Sequence, residues 1–164
     1  EAKTGSVLYV QSNCVEWRDA YVSQLMQHIE VDALGKCAKN GQYPERVGMV
    51  ELQARYHFFL ALENSVYPDF VTERVFNAWI AGSIPIYFGA PNMPSFAPTP
   101  KSFLLVRDFA SPKHLADHLL YLLGNETARL EYLQFKNESV PLAPGFLRAS
   151  EWSFYAPGGE NGSG

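Results

Sequence analysis

Apolar residues along this chain fall into two kinds of block. Short runs that are apolar almost throughout include Val7 to Gln11, Val31 to Leu34, Tyr56 to Leu62, Ile84 to Phe88 and Ser102 to Val106. A run without polar alternation suits a strand buried on both faces, as in a parallel sheet. Between these runs the apolar residues recur at helical spacing. Tyr21, Val22, Leu25 and His28 or Ile29 share one face of a predicted helix that starts at Glu16 or Trp17 and ends near Ile29. Val75, Phe76, Trp79 and Ile80 form a second stripe, and Leu115, Leu119 and Leu122 a third. Shorter helices are predicted from Val47 to Arg55 and from Glu126 to Phe135, the latter with Leu130 and Leu133 inward. Punctuation agrees with this reading. Thr72 is a capping residue with Glu73 in the first turn, and Gly82 is a stop. Ser111 caps the third helix with Pro112 at its first position, and Gly124 ends it. Lys36 to Glu45 and the proline-rich PNMPSFAPTPKS read as loops. Beyond Asn137 the periodicity is lost, and 153–164 read as a flexible tail.

Strand, helix and strand in alternation predict parallel pairs joined by right-handed crossovers. The expected fold is therefore α/β, a Rossmann-like parallel sheet with helices on both faces. The 164 residues suffice for one domain with a core. Hydrophobic residues at 47% and charged ones at 18% exclude a disordered chain. The net charge of −4 and the lack of a basic run argue against a nucleic-acid partner. No apolar run is long enough to span a bilayer, and no signal peptide opens the chain. A strand almost at the first residue suggests a piece of something longer. Two cysteines are too few for a disulfide framework or a zinc site. His114 and His118 stand four apart without a third ligand and read as surface histidines.

Candidate chemistry gathers where strands feed helices. Ligands bind beyond the carboxyl ends of parallel strands, and a helix N-terminus there suits a phosphate. The segment after Tyr56 to Leu62 carries an amide (Asn64), a carboxylate (Glu73) and a guanidinium (Arg74). A diphosphate calls for the cation and a sugar hydroxyl for the carboxylate. The alternative is a solvated first turn. Arg18 lies in the first turn of the first helix, where a cation opposes the dipole. A bound diphosphate would compensate; otherwise Arg18 is an exposed arginine.

The stretch ALENSVYPDFVTERVFNAWIAGSIPIYFGAP resembles the signature of the α-1,3/α-1,4-fucosyltransferases, glycosyltransferase family 10. That signature runs as a buried strand, Glu-Asn-Ser/Thr, a loop with an aromatic, Thr-Glu-Lys, a helix and a strand ending in a Gly-x-Pro turn. Two positions depart from it: Arg74 stands for the lysine, and Phe70 for a tyrosine found in several members. VLYVQSNCVEWRDAYVSQLMQHIEVDALGKC resembles the same enzymes, which show Ser-Asn followed by a phosphate-contacting arginine. VRDFASPKHLADHLLYLL resembles their Asp-Asp-Phe-x-Ser-Pro segment, with Arg107 in place of the first acid.

The resemblance implies that residues 1–152 are the C-terminal, donor-binding half of an inverting enzyme of the two-domain GT-B type. Its implied reaction moves L-fucose from GDP-β-L-fucose to a glycan or glycoprotein acceptor in α-1,3 linkage. Arg18 and Arg74 would clamp the pyrophosphate with help from Asn64. Glu73 would hold donor hydroxyls and oppose positive charge on the ring, and Asp108 would hold the guanosine ribose or base. The general base is expected in an N-terminal acceptor domain outside this chain. With no Asp-x-Asp motif, no metal is expected to be obligatory. The implied location is the Golgi lumen, in a type II membrane protein whose anchor lies elsewhere. Cys14 and Cys37 follow neighbouring strands and are either two free thiols or a disulfide; a secretory location implies the bridge. Triplets for N-glycosylation at Asn125, Asn137 and Asn161 fall outside the predicted strands. The competing expectation is a non-catalytic GDP-sugar-binding or protein-interaction module, and a third is a GT-B enzyme using another nucleotide sugar.

Overall fold

Tyr56–Leu62 contains no acid, lysine or arginine, so it can be covered on both sides, and it becomes the central strand. In the computed structural model, which describes residues 2–155, five parallel strands form one sheet in the order β2-β1-β3-β4-β5. They are β1 (Gly5–Tyr9), β2 (Val31–Ala33), β3 (Tyr56–Leu62), β4 (Ile84–Phe88) and β5 (Leu104–Leu105). Val7 pairs with Phe58, and β3 pairs with β4 from Phe58↔Ile84 to Leu62↔Phe88. Side chains alternate across the pleat. Phe58, Leu60 and Leu62 join Val7 and Tyr9 on one face, whereas Phe59 and Ala61 join Leu8 and Tyr87 on the other. Helices α1 (Glu16–Leu25) and α4 (Pro112–Gly124) cover the first face through Val22, Leu25, Leu115 and Leu119. Helices α2 (Met49–Ala54) and α3 (Glu73–Ala81) cover the second through Leu52, Val75 and Trp79. Gly82 stops α3 with φ of 72°, a left-handed conformation that glycine adopts without strain.

Several expectations need correction. β1 ends at Tyr9 rather than Gln11, because the carbonyl of Gln11 accepts from Lys36 and Cys37 in the next loop. β5 is two residues long, since Val106–Asp108 winds into a 3₁₀ turn. α1 ends at Leu25, although Ile29 is still buried. The predicted helix from Glu126 to Phe135 breaks into α5 (Glu126–Leu130) and a 3₁₀ segment, Glu131–Lys136. The tighter pitch turns Tyr132 inward and leaves Leu130, expected inside, 49% exposed. Beyond Asn137 the chain forms α6 (Pro144–Tyr155), which was expected to be irregular. Its Phe146 stacks on Phe76 at 6.3 Å and meets Trp79 edge-on at 5.8 Å, so a tertiary contact replaces the missing periodicity. Residues 153–155 of the expected tail therefore belong to α6. The rest of the tail, with Asn161, lies outside the described residues.

Candidate anion-binding cleft at the carboxyl edge of the sheet

β1 and β3 are neighbours, so the segments that follow them emerge side by side. The strand order changes direction at this pair, which is where open parallel sheets hold ligands. Arg18, one turn into α1, is only 1% exposed rather than a surface arginine. Its Nη1 donates to the Leu62 carbonyl at 3.0 Å and its Nη2 to the Asn13 carbonyl. Both acceptors are neutral, and its Nε has no partner. Asp19, next in the chain, forms no ion pair with it, and among the described residues no carboxylate does. A buried charge is ordinarily paired, because desolvation is expensive. Arg18 is thus a buried positive charge with no ion-pair partner among the described residues.

Arg74 reaches the same cleft from the first turn of α3. Its Nη1 donates to the side-chain oxygen of Gln11 and, at 3.5 Å, to the Val10 carbonyl. It too lacks an acidic partner among the described residues. Arg18, Asn64, Glu73 and Arg74 together line a cleft of about 140 Å³ with Gln11, Glu63 and Phe70. Four of the five residues expected to meet a ligand are therefore gathered in one place. Asp108 is the exception. It is exposed after β5, two strands away from β3, and does not line this cleft.

Thr72 occupies the N-cap position of α3 but makes no capping bond to a helix N–H, contrary to expectation. Its hydroxyl donates to Glu63 at 2.7 Å and its backbone N–H donates to the same carboxylate at 3.0 Å. Glu63 is 3% exposed, and burial holds its pKa above the ordinary carboxylate range. The two Thr72 hydrogen bonds and the Arg74 charge pull against that rise without cancelling it. Glu63 is thus a buried brace that ties the end of β3 to the start of α3. Its close packing against Gly89 leaves no room there for a side chain, since a Cβ at Gly89 would lie 2.5 Å from Glu63 Cγ. In the sequence Glu63 is marked by its place directly after a fully buried strand and by the Glu-Asn-Ser triplet of the resembling signature, neither of which reveals its bonds to Thr72.

The loop between β3 and α3 is pinned from outside as well. Asn92 exchanges two hydrogen bonds with Asp69, at 2.9 and 2.8 Å, so its amide orders the loop. Tyr87 donates to the Phe70 carbonyl at 3.2 Å. On the other side, Cys14 and Cys37 form a disulfide between the loops after β1 and β2. Two larger hollows flank the cleft. One, of about 390 Å³, shares Gln11 and Arg74 with it and is lined by Ser12, Leu34, Lys36, Tyr43 and Met49. The other, of about 660 Å³, shares Thr72 and Glu73 with it and is lined by Phe76, Phe96 and Arg148. Of the remaining candidates, His114 contacts Ser111 and His118 packs against Phe109 and Tyr121. Asn125 accepts from Ala128 as the cap of α5, and Asn137 is exposed.

Comparison with known proteins identifies the family. The family described as "Glycosyltransferase family 10 (fucosyltransferase) C-term" matches residues 1–152. "GDP-fucose protein O-fucosyltransferase 3" of Xenopus tropicalis is 36% identical over 139 residues, covering 78% of this chain and 30% of that protein. "Alpha-(1,3)-fucosyltransferase B" of Drosophila melanogaster is 34% identical over 152 residues, covering 84% of this chain and 34% of that one. A solved structure, "Crystal Structure of alpha1,3-Fucosyltransferase with GDP-fucose", superposes with a TM-score of 0.70 at 30% identity, covering 80% of this chain and 38% of that one. The chain thus spans well under half the length of these relatives.

Proposed function

The chain belongs to glycosyltransferase family 10, the fucosyltransferases, and from that premise we propose that it is the donor-binding part of an inverting enzyme. The donor is GDP-β-L-fucose, and the product carries fucose in α-1,3 linkage on a glycan or glycoprotein. One observation carries the reading: Arg18 is buried with no ion-pair partner among the described residues and shares a cleft with Arg74. Two guanidinium groups there supply what a diphosphate requires.

Each residue then has a task. As the bond between the anomeric carbon and the phosphate oxygen breaks, GDP departs with increasing negative charge. Arg18 and Arg74 stabilise that charge where it develops, and the Asn64 amide adds a donor. The transition state is oxocarbenium-like. Glu73 opposes the positive charge of the ring and accepts from sugar hydroxyls. The fucose therefore lies at the Glu73 end, and the nucleoside extends past Arg74 into the hollow lined by Tyr43 and Met49. This direction gives Asp108 no contact with the base, in place of the role the resemblance implied. Inversion also needs a base to take the proton of the acceptor hydroxyl. Glu63 is engaged with Thr72, so the base is assigned to the N-terminal acceptor domain of the longer protein. No step here calls on a metal.

The Cys14–Cys37 disulfide is in keeping with an oxidising compartment, here the Golgi lumen of a membrane-anchored enzyme. No described helix is long and apolar enough to cross a membrane. Calorimetric competition among GDP-fucose, GDP-mannose and UDP-galactose tests the donor. GDP-fucose binding that UDP-galactose does not displace supports the proposal, and preference for a UDP-sugar contradicts it. If the longer protein binds GDP-fucose but releases no fucose to acceptors or water, the non-catalytic module is the correct reading.

A further inference from the structure

Gln11 stands where two loops and the cleft meet. Its side chain is buried, with 4% of the residue exposed, and its oxygen accepts from Arg74 Nη1. The opposite amide orientation would set two donors against each other, so the oxygen faces the guanidinium. Its backbone is fixed as firmly. The Gln11 carbonyl accepts from Lys36 N at 2.9 Å and from Cys37 N at 3.0 Å. The loop after β2 comes this close because Gly35 lacks a side chain; a Cβ there would lie 2.5 Å from the Gln11 carbonyl oxygen. Cys37 is in turn bonded to Cys14.

We infer that Gln11 is a positioning residue that orients Arg74 for the second phosphate of the donor, an inference resting on the donor reading above. A guanidinium offers its Nε and Nη2 hydrogens as a parallel pair along one edge. Gln11 and the Val10 carbonyl hold Nη1, and among the described residues Nε and Nη2 make no hydrogen bond. The bidentate edge is therefore held in place and left for an anion. A carboxylate at position 11 would hold the fork equally well but would neutralise it. A neutral amide orients the charge and keeps it.

Three substitutions separate this role from mere packing, read as the ratio of GDP to GMP affinity by calorimetry, with thermal unfolding as the control. Arg74→Ala removes the fork and should lower the ratio at least tenfold. Gln11→Met keeps the volume without the acceptor and should lower the ratio about fivefold. In an Arg74→Lys background it should change the ratio less than twofold, because an ammonium has no fork to orient. Gln11→Glu keeps the shape and the acceptor and should lower the ratio by neutralisation, which keeps the test informative where Gln11→Met does not fold. Equal losses for GDP and GMP, or equal Gln11→Met effects in both backgrounds, overturn the inference and leave Gln11 a packing residue. A ratio lowered by Arg74→Ala but not by either Gln11 variant overturns it alone. A ratio untouched by Arg74→Ala overturns the donor reading and this inference together.

Discussion

Among the fully buried side chains of the described residues Arg18 is second in volume only to Trp79, and it is charged. Replacing Arg18 by a hydrophobe of similar volume removes the desolvation cost of an unpaired buried charge but leaves the Leu62 and Asn13 carbonyls without their donor, two opposing effects. Arg18→Met should therefore change the stability of the unliganded protein by less than about 1 kcal/mol, while GDP affinity falls at least tenfold, about 1.4 kcal/mol or more. Denaturant unfolding and calorimetry on the same variant check both halves; lost stability with unchanged affinity would make Arg18 a structural residue. Glu63 gives a second test at this scale. Its folded pKa lies above the ordinary carboxylate value, so the folded state holds the proton more tightly than the unfolded one. The stability contributed by its protonated form is fully present below the ordinary value and is lost as pH rises through the raised one. The stability of the wild type minus that of Glu63→Gln should accordingly fall across that window and level off above it. A difference that grows with pH in unfolding curves would show that the ionised form is the better bound.

At the level of elements, β3 and β4 match the expected bounds residue for residue, because unbroken apolar runs closed by Glu63 and Gly89 leave little choice of ends. The capped helix α4 matches as well, with Ser111 accepting from His114 N. α6 was illegible because its reason for being lies elsewhere in the chain, in Phe76 and Trp79. The Phe146 contact should be worth about 2 kcal/mol, read as the unfolding loss in Phe146→Ala; a loss under about 0.5 kcal/mol would mean that α6 is not docked there. The site was legible in part for the same reason. Arg18, Asn64, Glu73 and Arg74 are marked by their places in loops and first turns. Glu63 and Gln11 act through long-range partners, Thr72 and Arg74, that no local pattern reveals. The disulfide closes a loop with a sequence separation of 23 residues and should add about 3 kcal/mol by limiting the unfolded chain. Denaturant curves with and without a reductant check this, and no shift in midpoint would contradict it.

On the scale of the whole molecule, the sheet brings two distant arginines to one edge and a carboxylate brace holds the helix that carries the second. The larger protein would supply the acceptor site and the base, so this chain alone should bind donor yet transfer little. Calorimetry of the unaltered chain with GDP and with GMP tests the clamp most directly. The account predicts that removing the second phosphate weakens binding at least tenfold, the worth of one charge-assisted hydrogen bond or more. Equal affinities for GDP and GMP would contradict it.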